Sequence, residues 1–427
     1  MKIIRYPLLS EYSQILTRPT ASLESLEEQV GPILKSVREQ GDSAIIEFSQ
    51  KFDGHKLNSL KVTENELNEA ALQVPEDLKK AVQVAIDNVY AFHFSQKEEI
   101  KYIETIPGVT CWRKSVPIQK VGLYIPGGTA PLFSTVIMLG VPAILAGCEE
   151  IVLCSPADRD GKINPVILYV ANLLGIKSVF KVGGAQAIAG MAFGTETITK
   201  VFKIFGPGNQ YVTTAKQMVT KYGVAIDMPA GPSEVMVVAD NTSNPVFVAA
   251  DLLSQTEHGV DSQVVLLSTN ELIINQIKLE VDKQSVLLSR SAIALKALEN
   301  SKIILVKTNE EIIDLINEYA PEHLILSVSN PDIFADKIIN AGSVFLGHFT
   351  PEAAGDYASG TNHTLPTNGY AKAYSGVSLD SFIKKITFQK ITEEGIRNIG
   401  PSVEIMAQNE YLDAHKNAIS VRLNYLK

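Results

Sequence analysis

Positive charge is scarce in this chain. Its 427 residues carry 38 Lys and Arg against 47 Asp and Glu, a formal net charge of −9. A surface of that sign repels phosphate backbones and anionic headgroups, so nucleic acid and membrane surfaces are excluded as expected partners. It does not exclude an anionic cofactor, which backbone amides and helix ends can hold without a basic side chain. Cysteine is scarce too. Cys111, Cys148 and Cys154 are odd in number and lack metal-ligand spacing, which argues against a disulfide framework and for a reducing compartment. No long apolar run is present: the longest, residues 134–147, is short for a bilayer span and is broken by Pro142. Met1-Lys2-Ile3-Ile4-Arg5-Tyr6-Pro7 has no apolar signal core, and the expected location is the cytoplasm.

What is present is the composition of a compact protein. Hydrophobic residues make up 45% and charged residues 20%, enough to build a core, and the length calls for two or more domains. Residues 1–20 carry little pattern and read as an extension that must dock on something. From Ser22 to Gly41, Val30, Ile33, Leu34 and Val37 follow helical spacing, with Gly41 as the stop. Ile45, Phe48 and Phe52 predict a second helix ending near Gly54, and Leu78, Val82, Ile86 and Val89 a third. Residues 101–115, turned at Pro107-Gly108, predict a hairpin.

From Lys120 the texture changes. Short apolar strands at 121–125, 151–154, 178–182 and 201–205 alternate with helices, and the alternation resumes at 235–239, 264–267, 303–306 and 324–328. Continuously apolar strands separated by helices imply parallel sheets covered on both faces. The expected fold is α/β, with two Rossmann-like units, a short N-terminal extension and a small C-terminal helical tail domain. In residue terms these are an extension over 1–20 and a discontinuous first α/β domain over 21–119 with 234–376. A second α/β domain spans 120–233, and a tail spans 377–427. Residues 347–376 are rich in glycine and proline without periodicity, a loop length that is usually functional or disordered.

Chemistry concentrates in a few segments. Residues 249–259 start as a helix and stop at Gly259, with Gln255 and His258 three apart. That spacing puts an amide oxygen and an imidazole on one face. Taken alone, the pair reads either as half of a metal site or as a helix end with a satisfied histidine. His323 follows Glu322, His363 lies in a polar loop after Asp356, and His415 follows Glu410 in the tail. Polar residues at the C-terminal ends of strands, and in the loops beyond, are where α/β proteins form sites. Gly183-Gly184-Ala185-Gln186 and Gly206-Pro207-Gly208-Asn209 match neither the dinucleotide fingerprint nor a P-loop. They read either as tight turns or as loops that bring amides to a pyrophosphate.

Taken together, the motifs resemble the histidinol dehydrogenase family over nearly the whole chain. The likeness runs through Gly122-Leu123-Tyr124-Ile125-Pro126-Gly127-Gly128, the two glycine loops, and Asp227-Met228-Pro229-Ala230-Gly231-Pro232-Ser233-Glu234. It continues through the Gln255 and His258 stretch, Ala320-Pro321-Glu322-His323, Gly355-Asp356-Tyr357, Asn362-His363, and Glu410 to His415. The resemblance implies one zinc per subunit on Gln255, His258, Asp356 and His415, and a catalytic pair Glu322 and His323. It implies contacts to L-histidinol from Ser233 and Glu410 together with Gln255, His258, His323, Asp356 and His415. NAD would be contacted by Tyr124, Gln186 and Asn209 in the 120–233 domain. It further implies a homodimer in which Glu410 and His415 complete the neighbour's site. No role is implied for His363.

The implied chemistry is physically coherent. Oxidising an alcohol to an acid takes two hydride transfers with an aldehyde between them. An imidazole such as His323 titrates near working pH and suits the alcohol proton. Glu322 could activate the water that hydrates the aldehyde, and zinc could anchor the substrate's nitrogens. Three rival readings are weaker. A cysteine thiohemiacetal on Cys148 or Cys154 lacks an adjacent histidine. A two-lobed metabolite-binding protein has no use for Glu322 and His323, and a zinc hydrolase has none for the nucleotide loops.

Overall fold

The computed structural model describes residues 1–19, 23–54, 57–127 and 131–427. Ser22 and Gly128, named above, lie outside them. Two parallel sheets organise the chain. The larger takes the strands Lys2–Arg5, Lys302–Leu305, Gln263–Ser268, Glu234–Ala239, His323–Ser327 and Ser343–Leu346 in that spatial order. The smaller takes Ser178–Lys181, Glu150–Ser155, Lys120–Tyr124, Lys203–Phe205 and Ala225–Ile226. The α/β architecture is therefore as expected. Apolar runs form these strands because both faces are covered. Val235, Val237, Leu266 and Ile303 face one layer with Val248, Leu252 and Ile277. Met236, Val238, Leu267 and Ile304 face the other with Ile312, Ile316 and Tyr319. Among the described residues no helix is long and apolar enough to cross a membrane.

Two expectations are corrected. The N-terminal helices do not complete the 234–376 unit. Val30, Leu34, Val37 and Ile45 pack with Val152, Phe180, Ile188 and Ile204, and Val82, Ala85 and Val89 pack with Leu123, Ile137 and Leu153. Both groups thus lie on the smaller sheet. An amphipathic stripe specifies that a face is buried, not which sheet buries it. Residues 1–20 are also more than a patternless extension. Lys2–Arg5 pairs in parallel with Lys302–Leu305 as the sheet's edge, and Tyr12 and Leu16 enter the core beside Leu324 and Ile316.

The predicted hairpin forms as Tyr102–Ile106 and Val109–Pro117. The tail strand Ile383–Ile391 joins it antiparallel along its whole length, with Phe388 stacked on Trp112 at 5.4 Å between ring centroids. Beyond it, the helices Glu393–Asn409 and Asp413–Tyr425 pack on each other.

The sheets present opposite edges to one cleft. In the smaller sheet the chain leaves Lys120–Tyr124 on one side and returns at Lys203–Phe205 on the other. The switch point, where such folds bind ligands, therefore lies beyond Tyr124 and Phe205. The larger sheet faces the same cleft with the beginnings of two strands, through Ser233 and Ser262, which precede the strands that open at Glu234 and Gln263. The general preference for C-terminal strand ends thus holds for one sheet and is reversed in the other.

Candidate active site

A cleft of about 550 Å³ separates the two edges, lined among others by Tyr124, Gly127, Gly208, Asn209, Ser233 and His258. Its smaller-sheet wall is held rigidly. Gly206 has φ +122°, and a Cβ there would stand 2.1 Å from the Tyr124 carbonyl oxygen, so only glycine fits. The buried Lys216 ammonium binds Asp227 Oδ1 at 2.5 Å and the Gly206 carbonyl at 2.8 Å. Asp227 Oδ2 accepts from the Gly206 N–H at 2.8 Å. Asn209 caps the helix Gln210–Val219, its Oδ1 accepting from Tyr211 and Val212 at 3.1 Å, which leaves its amide nitrogen for a ligand. The Tyr124 hydroxyl accepts from the Gly184 N–H at 3.1 Å, and burial pushes it up to about 12, so it stays a neutral donor. Gln186 is buried behind this wall beside Gly184 rather than on the cleft surface.

Buried in the larger sheet, the first residue of the strand His323–Ser327 and the residue before it meet the start of the strand Glu234–Ala239. Glu322 and His323 are 7% and 3% exposed. Glu322 Oε2 accepts from the Glu234 N–H at 2.8 Å, and His323 Nδ1 lies 3.1 Å from the Glu234 carbonyl. A carbonyl only accepts, so Nδ1 carries a proton and Nε2 is the nitrogen that can exchange one. Nε2 lies 3.2 Å from Asp356 Oδ1. Burial drives the Glu322 carboxyl up to about 8, against the pull of His323. Burial alone would lower His323, but the Glu322 and Asp356 carboxylates outweigh it and raise the imidazole to about 10.

Around this pair the donors for a metal gather. Gln255 is 1% exposed, and its Nε2 donates to Glu352 Oε1 at 2.6 Å. Its Oε1 is buried without a partner, a costly state that an ion or ligand atom would relieve. Asp356 commits Oδ1 to His323, leaving Oδ2. His258 is exposed on the cleft surface, where the surrounding protein lowers its imidazole and the charge of Asp356 opposes the shift. An amide oxygen, an imidazole nitrogen and a carboxylate oxygen suit a borderline divalent ion. Among the described residues no three His, Cys, Asp or Glu side chains form a metal-holding group; this set has two of those types plus the amide. The remaining predicted residues, Glu410 and His415, are solvent-exposed on the tail helices and stand apart from this buried cluster within one chain.

Two participants, Glu352 and Arg18, carry no signal in sequence spacing, and His363 stands out in the sequence without an implied role. Glu352 is buried against Gln255 and Ser254. His363 donates from Nδ1 to the Asp356 carbonyl at 2.8 Å and meets the Thr135 hydroxyl at 3.1 Å through Nε2. It braces the segment that carries Asp356. Arg18 binds Glu234 from behind. Burial raises the Cys148 thiol to about 12 and Cys154 further, so neither is a ready thiolate.

Two parallel-sheet units that meet at a switch-point cleft define an α/β protein of the class that binds its ligands there. The family model for histidinol dehydrogenase matches residues 16–423. The chain is 59% identical over 427 residues to the histidinol dehydrogenase of Bacteroides thetaiotaomicron, with 100% of each covered. A crystal structure of histidinol dehydrogenase from Elizabethkingia anophelis matches with a TM-score of 0.97 and 56% identity, covering 100% of this chain and 98% of that one. An acetylating aldehyde dehydrogenase from Geobacillus thermoglucosidasius shares the fold alone, with a TM-score of 0.50 and 14% identity over 89% of this chain and 93% of that one. The chain belongs to the histidinol dehydrogenase family and is an oxidoreductase.

Proposed function

We propose that the chain oxidises L-histidinol to L-histidine through L-histidinaldehyde, the closing steps of histidine biosynthesis, in the cytoplasm. NAD would lie against Tyr124 and Asn209, with Gln186 supporting the loop, so that residues 120–233 form the cofactor unit. One zinc per subunit would be held by Gln255, His258 and Asp356, with His415 as the fourth ligand. Ser233 and Glu410 would hold the substrate. Glu410 and His415 would come from the partner of a homodimer, because within one chain they are exposed and away from the cluster. The single observation that carries this reading is the Glu322 and His323 pair, locked on Glu234 next to the orphaned Gln255 oxygen.

Bound zinc would supply a Lewis-acidic anchor for the substrate's nitrogens, and bound NAD the hydride acceptor. The residues do the rest. The Glu234 carbonyl fixes the His323 tautomer. With the Asp356 charge drawn to the metal, the imidazole would lose one of the carboxylates that raise it, and Nε2 takes the hydroxyl proton as the hydride leaves the carbinol carbon. Glu322 keeps Oε2 on the Glu234 amide, leaving Oε1 to take a proton from the water that adds to the aldehyde carbon. His323 returns its proton to the aldehyde oxygen as the water adds and takes one back from the hydrate as the second hydride leaves, which yields the acid. The test is the stoichiometry of L-histidinol oxidation with the zinc-loaded protein. Two NADH per histidine are expected, with activity lost on chelation. One NADH per turnover, or none, overturns the reading.

A further inference from the structure

Arg18 lies behind the cleft wall, yet it binds both the segment that carries Glu322 and His323 and the strand residue that holds them. Its Nε and Nη2 grip the two oxygens of the buried Glu234 carboxylate at 2.5 and 2.9 Å. Nη2 also donates to the Tyr319 carbonyl at 2.7 Å, and the guanidinium lies 3.8 Å from the centroid of the Tyr319 ring. Glu234 supplies the N–H that holds Glu322 and the carbonyl that holds His323. Tyr319 opens the turn that delivers them, through Ala320 at φ 52°, a left-handed conformation that a residue with a Cβ rarely adopts. A planar fork that spans both segments suits such a clamp.

We propose that Arg18 is a positioning residue of the dehydrogenase, setting Glu322 and His323 through Glu234 and the Tyr319 carbonyl. The inference rests on the reading of those two residues as the acid/base pair. Arg18 is itself held in place. The carbonyl of Thr17 accepts from Gln263 Nε2 at 3.1 Å and from Lys302 Nζ at 2.6 Å. The N-terminal segment therefore works as a strap, with a strand at one end, Tyr12 and Leu16 in the core, and the guanidinium at the other end. A separate cavity of about 450 Å³ reaches Arg18 past Ser13, Thr17, Asn368 and Lys372, so a small planar cation has a route to its place.

The test uses Arg18→Ala in the full-length, zinc-loaded protein. Because misplacement rather than lost binding is expected, kcat should fall about 10- to 100-fold. KM for L-histidinol and for NAD should stay within about threefold. Millimolar guanidinium should restore a substantial part of kcat, and sodium chloride at equal ionic strength should not. In a Glu322→Gln background Arg18→Ala should add little to the loss in aldehyde oxidation. Unchanged kcat, a pure KM effect, or a loss that guanidinium leaves untouched overturns the proposal. If Arg18→Ala does not fold, Arg18→Lys carries the same test, since it keeps the charge without the fork. It should lower kcat at constant KM, and unchanged kcat overturns the proposal. Full activity in both Glu322→Gln and His323→Asn would refute the acid/base reading itself, a result independent of Arg18.

Discussion

Glu322→Gln separates the two oxidation steps. The amide is nearly isosteric, and its carbonyl oxygen can still accept the Glu234 N–H that Glu322 Oε2 accepts at 2.8 Å, so the turn should survive. What is lost is the capacity to take a proton from water. General-base catalysis contributes about 10²- to 10⁴-fold, or about 3–5 kcal/mol of barrier, and the aldehyde half-reaction should slow by that factor. The alcohol half-reaction relies on His323 and should lose far less. The pH dependence follows from the carboxyl being driven up to about 8. A base works only when ionised, so the wild-type aldehyde step should quicken about tenfold per pH unit below that value and level off above it. The Gln variant should be flat over the same window. Rapid-mixing measurements of NADH formation, started from L-histidinol or from L-histidinaldehyde, report the two steps separately. Equal losses in both half-reactions, or an aldehyde step that slows as pH rises, would refute the assignment and leave Glu322 as a prop for His323.

Three further outcomes are expected. Gln255→Ala and His258→Asn should each weaken bound zinc roughly tenfold or more with unchanged circular dichroism; full occupancy by elemental analysis in both would remove them from the metal site. A mixture of Glu322→Gln chains with His415→Asn chains should regain activity once subunits exchange, because one site of the hybrid dimer then carries neither defect; exchange without recovery would place the tail residues in their own chain's site. Burial raises the Asp251 carboxyl to about 7, so the folded state keeps a proton that the unfolded chain releases near pH 4, and stability falls as pH rises between those values. Asp251→Asn should therefore be more stable than wild type by about 1–3 kcal/mol at pH 8 and nearly equal at pH 4; the same difference at both pH values would count against the buried carboxyl.

How much could be read from the sequence depended on the range of the interaction. Eight strands of the two sheets were legible because burial on two faces leaves an unbroken apolar run, as in Glu234–Ala239, where all six residues are buried; the short strands Ala225–Ile226 and Ser343–Leu346 were missed. So was Lys2–Arg5, since four residues with polar ends carry no pattern until a neighbouring strand pairs with them. The partner of the N-terminal helices was invisible for a related reason: Val30 and Leu34 declare a buried face but not its sheet. The site divides in the same way. Glu322, His323, Gln255 and His258 stood out through motif resemblance. Arg18 and Glu352 did not, because their chemistry appears only when Glu234, 216 positions away, and Gln255, 97 positions away, arrive beside them.

The reversed edge of the larger sheet explains how an acid/base pair can be placed so tightly without a long loop. His323 is paired with Val235 across two parallel strands, which sets the Glu234 peptide next to its ring and next to the Glu322 carboxylate. A slip of one residue would turn His323 to the opposite face and would move the alternating core residues of both strands into the wrong layer. Because each strand is covered on both faces, such a slip is opposed by misfit in both layers, at about 1–3 kcal/mol for each overpacked side chain. The register that stabilises the sheet is thus the same register that aims Nδ1 at a carbonyl and leaves Nε2 toward Asp356. A substitution that loosens this register, even far from the cleft, should lower kcat before it lowers the melting temperature. Core truncations at Val235 or Val237 that cost stability with kcat intact would contradict that coupling.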